Sequence, residues 1–306
     1  MNGKSPHIVQ YQGSKRILAP QILRYMPRMS TRMIEPFAGT AAMTIAAAMD
    51  GRATSFIVND LNGPLVGLLR EAVDNPRRLL ADYSKIWNEQ FSFDSGHVAH
   101  FYSVRERFNG GDTSPANMLY MLARCVKGSV RYGRNGNFNQ SPDKRRHGTS
   151  PEKLWPNLLA VSGLLKGRTS FFSSDYKEMF HLAQKGDVVY MDPPYQGVSN
   201  LSARDNRYLS GVRFSDFVEA LDELNRKGVD FLISYDGECG GRGYGEELPS
   251  GLQCKKYMLC AGLSTQATFL GKRETTFEAL YVSRGLTNIV PPEMPSQMEF
   301  AEAASW

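Results

Sequence analysis

The amino-acid sequence predicts an α/β fold, a doubly wound parallel sheet whose chain is interrupted by a mainly helical insertion. Short, continuous apolar runs bounded by Gly, Pro, Asn or Asp recur, as is typical of strands buried on both faces of such a sheet. Helical patterns lie between or beside these runs, which is the alternation expected of this fold class. In the long stretch 62–165, by contrast, helical patterns dominate and strand patterns are rare.

Four apolar runs predict four strands of the sheet, at residues 32–35, 55–58, 187–191 and 230–234. The Ala- and Met-rich segment 40–49 predicts a helix between the first two strands. An amphipathic repeat predicts another helix over 214–227, and Gly228 is suited to end it. The strand–helix–strand order therefore predicts one sheet built from two separate parts of the chain.

The helical stretch is interpreted as an inserted domain, 62–165, that splits the sheet domain into residues 1–61 and 166–285. Residues 286–306 are rich in Pro, Glu and Ser, which predicts a C-terminal tail without regular structure. Segment 127–146 of the insertion is basic and rich in Gly and Asn, and Asp143 is its single acidic residue. The chain as a whole is only mildly basic, with 36 Lys and Arg against 31 Asp and Glu. That balance permits a polyanionic partner without requiring one.

The composition also excludes several classes of protein. No apolar run approaches the roughly 20 residues of a membrane helix, and the first residues lack the apolar core of a signal peptide. The four cysteines show no CxxC spacing, which indicates reduced thiols and a cytoplasmic protein. The five histidines form no metal-binding pattern, so no metal is expected.

The sharpest chemical motif is Asp192-Pro193-Pro194-Tyr195, directly after the third predicted strand. Doubly wound sheets bind their ligands beyond the carboxyl ends of the strands. Proline donates no N–H, so nearby carbonyl groups stay available as hydrogen-bond acceptors. On the residues alone, the motif is either a binding site or a turn that ends a strand, with even support for both.

Three weaker motifs follow the same logic. Gly39, in the turn 35–41, stands between the first strand and a helix whose free N–H groups favour a ligand. Asp60 follows the second strand, where a carboxylate can accept hydrogen bonds from ribose hydroxyls, and an Asx turn or helix cap is the alternative. Gly and Lys in segment 11–15 can hold a carboxylate, or this segment is a solvated loop.

In order along the chain, YQGSK, EPFAGTAAM, NDLN, a basic insertion with GNFN, SSDY and DPPY resemble the Dam-like class of DNA adenine N6-methyltransferases. The resemblance spans roughly residues 8–284, and EALYVS around Glu278 is similar to the last strand of that family. It implies a Rossmann-like methyltransferase sheet with an inserted target-recognition domain. It also implies S-adenosyl-L-methionine as cofactor and double-stranded DNA as partner, without a metal or a membrane. A cognate restriction endonuclease that acts separately is left open.

Carried over to this sequence, the resemblance implies roles for particular residues. Tyr11 and Lys15 would contact the methionine end of the cofactor, Asp60 its ribose hydroxyls, and Asp175 its adenine. The residues that would line the cofactor pocket are Glu35, Phe37, Ala38 and Gly39, with Asp192 completing the cofactor-binding set. The catalytic residues, which would hold the target base, are Asp192, Pro193, Pro194 and Tyr195.

The implied reaction methylates N6 of an adenine that has been flipped out of the duplex. The Asp192 carboxylate and the Pro193 carbonyl would each accept one N6–H bond, and Tyr195 would stack on the base. The basic part of the insertion is interpreted as the DNA contact, with a solvated loop as the alternative. Its candidate residues are Arg131, Arg134, Asn137, Asn139, Lys144, Arg145 and Arg146. Phe138 is expected to pack within this loop.

Other functions remain compatible with the same motifs. An rRNA adenine or guanine methyltransferase can carry the same tetrapeptide. Cytosine N4 enzymes usually have Ser in place of Asp192, which disfavours them. A non-catalytic DNA-binding protein with a vestigial cofactor site is the rival from a different class, and it predicts that S-adenosylmethionine does not bind.

Overall fold

The computed structural model describes residues 5–194, 212–239, 242–244, 247–263 and 275–289. Tyr195 and the predicted tail beyond residue 289 lie outside these ranges. The strands are β1 (Ser30–Glu35), β2 (Ala53–Asn59), β3 (Thr169–Phe172), β4 (Asp187–Met191), β5 (Asp230–Cys239), β6 (Arg242–Tyr244), β7 (Cys254–Leu263) and β8 (Thr275–Ser283). The helices are α1 (Ala19–Ile22), α2 (Ala42–Met49), α3 (Gly63–Asp74), α4 (Pro76–Ser92), α5 (Gly96–Asn109), α6 (Pro115–Arg124), α7 (Pro151–Leu165), α8 (Tyr176–Leu182) and α9 (Phe214–Lys227).

The strands form one sheet in the order β3-β2-β1-β4-β5-β8-β7, and β6 pairs with β5. Strands β1 to β5 run parallel, whereas β8 is antiparallel to both β5 and β7. The order reverses at β1, which has β2 on one side and β4 on the other. A crevice for a ligand is expected at that reversal, beyond the carboxyl ends of the strands. The prediction of a doubly wound, Rossmann-like sheet is confirmed.

The central strands are apolar throughout because both faces of the sheet are covered. In β4, Val188 and Tyr190 join the core on one face, while Val189 and Met191 join the core on the other. The first face is covered by α1, α2 and helices of the insertion, and the second by α8 and α9. The four runs predicted as strands coincide with β1, β2, β4 and β5.

The insertion between β2 and β3 is helical, as predicted. The chain there adds α3 to α7 and, within this fully described stretch, contributes no strand to the sheet. Helices α4, α5 and α6 pack against one another, and α7 contacts α2 as well as α3 and α4. Leu65 of α3 and Leu154 of α7 belong to the same core as Met33 of β1. The division into separate domains at residues 62 and 165 stays a prediction.

Candidate functional site

A cleft of about 250 Å³ opens where β1, β2 and β4 end. Its lining residues fall in segments 11–15, 35–42, 60–62, 130–132, 174–177, 192–194 and 212–216. All nine residues predicted to bind the cofactor line this cleft, as do Pro193 and Pro194 of the catalytic motif. The fold therefore brings together motifs that lie far apart in the sequence, while their roles toward a ligand stay predictions.

The turn between β1 and α2 is fixed against the end of β2. Gly39 has a φ of +50°, in the left-handed region that favours glycine. A β carbon there would lie 3.4 Å from the ring of Tyr11, so glycine also permits the close approach of that ring. The Gly39 N–H donates to Asp60 Oδ2 at 2.8 Å, and the Ala38 N–H donates to the Asn59 carbonyl at 2.9 Å.

Asn59 joins three strand ends beneath the cleft. Its buried side-chain amide donates to the Pro36 carbonyl at 2.9 Å and to the Ser174 carbonyl at 3.0 Å. The Ser174 N–H donates back to Asn59 Oδ1 at 3.0 Å. Because a buried amide must satisfy its polar atoms, these bonds hold the loops after β1, β2 and β3 in one arrangement.

The Asp60 carboxylate accepts hydrogen bonds from two backbone groups. Besides the bond from Gly39, its Oδ1 accepts from the Asn62 N–H at 2.9 Å. Burial raises the pKa of Asp60, and the two N–H donors oppose that rise. A carboxylate offers about four acceptor positions, so the two bonds leave room for hydroxyl donors. The predicted contact with ribose hydroxyls is thus compatible with the geometry and stays a prediction.

Glu35 is buried at the end of β1 and faces the first turn of α2. Its Oε2 accepts from the N–H of Thr44 at 2.9 Å and also from the Thr44 hydroxyl. Burial raises the pKa of Glu35 to about 8, the bonds from Thr44 oppose the rise, and the charge of Asp192 adds to it. At neutral pH this carboxyl is therefore mostly protonated.

Lys15 joins the N-terminal loop to two carboxylates from different strands. Its ammonium nitrogen lies 2.8 Å from Asp192 Oδ1 and 2.9 Å from Glu278 Oε1. The three side chains are 8%, 21% and 16% exposed, respectively. Burial by itself lowers the pKa of Lys15, but Asp192 and Glu278 outweigh burial and hold the pKa above its ordinary value. The sequence assigned no role to Glu278.

Aromatic side chains form one wall of the cleft. Phe37 and Tyr176 line the cleft with their ring centroids 5.2 Å apart, and the buried ring of Phe217 packs 5.8 Å from Tyr176. The Tyr176 hydroxyl is buried and has no hydrogen-bond partner within the part of the chain that the structure describes. Asp175 is exposed and caps α8 by accepting from the Lys177 N–H at 2.9 Å. A wall of rings with one unsatisfied hydroxyl suits a flat heterocycle with a polar edge.

The basic segment, residues 127–146, begins beside the cleft. The Tyr132 hydroxyl donates to Asn62 Oδ1 at 3.1 Å, and the Gln12 N–H donates to the Gly128 carbonyl at 3.1 Å. Val130 and Tyr132 line the cleft. Sequence reasoning did not single out these contacts, because nothing local in the insertion indicates that it reaches the N-terminal loop.

The seven residues predicted to contact DNA are all exposed: Arg131, Arg134, Asn137, Asn139, Lys144, Arg145 and Arg146. The backbone beneath the first four forms a tight turn. In it, the Gly133 N–H donates to the Asn137 carbonyl at 2.7 Å, and the Asn139 N–H donates to the Arg131 carbonyl at 3.0 Å. The charged side chains are therefore accessible on a backbone of defined shape.

Buried side chains hold the basic segment in place. Phe138 is 1% exposed and its N–H donates to Asn109 Oδ1 at 2.8 Å, so the expectation that Phe138 packs within the loop is confirmed. Arg124 is fully buried and donates to the Asp143 carbonyl at 3.0 Å and to the His97 carbonyl at 3.1 Å. The Asp143 N–H in turn donates to the Arg124 carbonyl at 2.7 Å.

Other features of the described ranges concern metals, membranes and thiols. No group of three or more potential metal ligands occurs within them. None of the helices there has the length and apolar character needed to cross a membrane. Cys125, Cys254 and Cys260 are free thiols.

The profile of the D12 class N6 adenine-specific DNA methyltransferase family matches residues 11–289. This chain belongs to that family. Members of the family use S-adenosylmethionine as the methyl donor. The resemblance found in the motifs of the sequence is therefore confirmed at the level of the family.

The chain is similar to several DNA methyltransferases from phage and bacteria. It is 25% identical over 236 residues to a DNA N-6-adenine-methyltransferase of Escherichia phage P1, a match that covers 75% of this chain and 30% of the phage protein. It is 26% identical over 239 residues to the type II methyltransferase M1.LlaDCHI of Lactococcus lactis, covering 74% of this chain and 79% of the relative. The chain thus spans about a third of the phage protein and most of the Lactococcus protein.

Solved structures that align with the methyltransferase include an S-adenosylmethionine-dependent methyltransferase from Agrobacterium tumefaciens. The two chains are 9% identical, with a TM-score of 0.39 and coverage of 89% of this chain and 62% of the other. The Rossmann-like fold class follows from the strand order and strand directions of this chain itself.

Proposed function

We propose that this methyltransferase transfers a methyl group from S-adenosylmethionine to N6 of a flipped-out adenine in double-stranded DNA. The observation that carries the proposal is the position of Asp192 and Pro193. Both line a cleft whose other walls contain every residue predicted to bind the cofactor. Asp192 is held there by the ammonium group of Lys15 at 2.8 Å.

The residues of the cleft fit the proposed cofactor. The rings of Phe37 and Tyr176 offer an apolar wall for its adenine, and the buried Tyr176 hydroxyl is a donor for which the described residues provide no acceptor. Asp60, fixed by two backbone N–H groups, would accept from the ribose hydroxyls. When bound, S-adenosylmethionine supplies an electrophilic methyl carbon attached to a positively charged sulfur.

The target amino group needs acceptors that are already in position. The lone pair of adenine N6 is delocalised into the ring, so N6 is a poor nucleophile. The Asp192 carboxylate and the Pro193 carbonyl would each accept one N6–H bond and orient the nitrogen. Because Lys15 holds the Asp192 carboxylate before the reaction, this acceptor stabilises the positive charge that develops on N6. Proton loss from N6 can follow methyl transfer.

An adenine inside a duplex cannot reach this cleft, so the base must leave the stack, at a cost of a few kcal/mol. Tyr195 would stack on the extruded base, which contributes roughly 1–3 kcal/mol. This role comes from the sequence motif, since Tyr195 lies outside the described residues.

The basic segment would bind the DNA around the target. Its exposed Lys and Arg side chains suit phosphate oxygens, and Asn137 and Asn139 can reach base edges. The insertion would thus serve as the target-recognition domain of a cytoplasmic enzyme. A cognate restriction endonuclease, if the host has one, would act as a separate protein.

The decisive experiment follows a tritiated methyl group from S-adenosylmethionine to purified duplex DNA and, in parallel, to ribosomal RNA. We expect label in DNA, and recovery of N6-methyladenine after digestion to nucleosides. The matched control for the Asp192→Ala variant is Asp82→Ala. It removes a surface carboxylate of α4 that pairs with Lys85 at 3.1 Å.

Other outcomes would point to the rival functions. Label confined to ribosomal RNA would identify an RNA methyltransferase, and label in N4-methylcytosine would identify a cytosine enzyme. If calorimetry detects no binding of S-adenosylmethionine, the proposal is wrong and the result favours a DNA-binding protein with a vestigial cofactor site.

A further inference from the structure

We infer that Glu278 is a positioning residue for methyl transfer, which acts through Lys15 to fix the Asp192 carboxylate and to preserve its negative charge toward the cleft. The inference rests on the proposed function, because it assumes that Asp192 receives the amino group of the target base. It assigns a role to a strand residue that lies far from the catalytic motif in the sequence.

The geometry shows how Glu278 can act on Asp192. Lys15 lies between the two carboxylates, at 2.8 Å from Asp192 Oδ1 and 2.9 Å from Glu278 Oε1. Asp192 follows β4, whereas Glu278 lies in β8. In the sheet, β5 lies between these two strands and pairs with β8. An ammonium held from two directions has little freedom to move, so the carboxylate oxygen that it contacts is also fixed.

The charges of this cluster explain why a second carboxylate is useful. With Asp192 alone, Lys15 would form a one-to-one pair and largely neutralise the carboxylate. Glu278 also contacts the ammonium group, so Lys15 is shared between two carboxylates and neutralises Asp192 less completely. The charge that Asp192 retains favours the positive charge that grows on N6 during the reaction. In a partly buried cluster, solvent screens these charges less than it would at the surface.

The other titratable groups nearby do not provide this compensation. Glu35 is mostly protonated at neutral pH, since burial raises its pKa to about 8. The Tyr190 hydroxyl is buried against Ser234 Oγ at 2.8 Å, and burial holds its pKa far above the ordinary value. Of Glu35, Tyr190 and Glu278, the group in an ion pair with Lys15 is therefore Glu278, at 2.9 Å.

The test measures the single-turnover rate of methyl transfer to duplex DNA and the Kd for S-adenosylmethionine with full-length variants. Glu278→Gln keeps the shape and removes the charge, so we expect the rate to fall about tenfold or more while the Kd changes less than about threefold. Glu278→Asp keeps the charge and should stay within about threefold of the wild-type rate. The matched control is Glu247→Gln, which breaks the surface ion pair between Glu247 and Lys256 at 2.7 Å. This variant should leave the rate unchanged.

A double-mutant cycle separates action through Lys15 from an independent effect. In a Lys15→Met background, Glu278→Gln should change the rate by less than about twofold, because its partner is gone. A full tenfold effect in that background would overturn the inference, as would an unchanged rate in Glu278→Gln alone or an equal loss in Kd. If the wild-type protein transfers no methyl group to adenine, the proposed function is wrong and this role with it. Wild-type transfer with an unaffected Glu278→Gln would overturn this role alone.

Discussion

The cleft and the basic segment both depend on loops, but the protein fixes charged side chains in the cleft and only the backbone in the basic segment. In the cleft, Asp60 and Asp192 are bound by groups of the protein itself, at 2.8 Å to the Gly39 N–H and to the Lys15 ammonium. In the basic segment, the Lys and Arg side chains predicted to contact DNA are exposed, and the protein holds the backbone instead, through buried residues such as Arg124.

The difference follows from what catalysis and DNA binding each require. Stabilising charge that develops on one atom needs acceptors that are in position before the reaction and are screened little by water. Binding a phosphate backbone needs accessible cations, whose contribution is the release of counterions. Long side chains on a fixed backbone meet the second requirement, whereas the first needs the side chain itself to be fixed.

The largest expected effect is in the cleft. Asp192→Ala removes an acceptor for N6, so the rate of methyl transfer should fall about 10³-fold, at the upper end of the effect of one such group. The Kd for S-adenosylmethionine, measured by calorimetry, should change much less. Near-normal turnover would show that the fixed carboxylate is not part of catalysis.

The next effect is in the basic segment and should appear in binding rather than in chemistry. Reversing Lys144, Arg145 and Arg146 to Glu should weaken DNA binding about 10²-fold at moderate salt and flatten the salt dependence by about 0.9 in slope for each phosphate that is no longer neutralised. Fluorescence anisotropy over a salt series measures both quantities. Reversal of Lys85 and Arg226, two exposed residues elsewhere, is the control. Equal slopes for the two variants would contradict the assignment of the DNA-binding surface.

A smaller effect tests whether the backbone of the basic segment is held from beneath. Arg124→Met removes the charged donor of the hydrogen bonds to the Asp143 and His97 carbonyls, and each such bond contributes about 1.5–3 kcal/mol to stability. DNA affinity should fall while the Kd for S-adenosylmethionine stays unchanged. Denaturant unfolding and anisotropy are the measurements. If the affinity for S-adenosylmethionine falls as much as the affinity for DNA, the structure of the cleft depends on Arg124 as much as that of the basic segment does.

The last effect concerns the pH dependence of stability and leaves methyl transfer and DNA binding aside. Glu35 has a pKa of about 8 in the folded protein against 4.5 for an ordinary Glu, so the folded state holds a proton that the unfolded chain releases. Its contribution to stability is complete below pH 4.5 and is lost as the pH rises through 8, with a slope of up to about 1.4 kcal/mol per pH unit. Glu35→Gln should remove this dependence when the free energy of unfolding is measured from pH 5 to 8. If the free energy of unfolding of Glu35→Gln depends on pH as steeply as that of the wild type, other groups cause the dependence.

Much of the sheet was predictable because its signals are local. The run DVVYM is buried on both faces, so its five residues identify β4 without knowledge of their neighbours. The strand β3 was not singled out, since it has four residues and only Phe171 is buried. Gly39 and Asp60 were found as separate motifs, but the bond between them depends on the parallel pairing of β1 and β2.

The sequence by itself determined the fold class, the family and many of the residues that line the cleft, because apolar runs and motifs lie within short stretches of chain. Only the tertiary structure decided which charged residues pair with one another. Lys15, Asp192 and Glu278 come from three distant parts of the chain, and they meet because β8 runs antiparallel beside β5. The physical reason is that a charge pair depends on distance in space, which the order of residues alone does not specify.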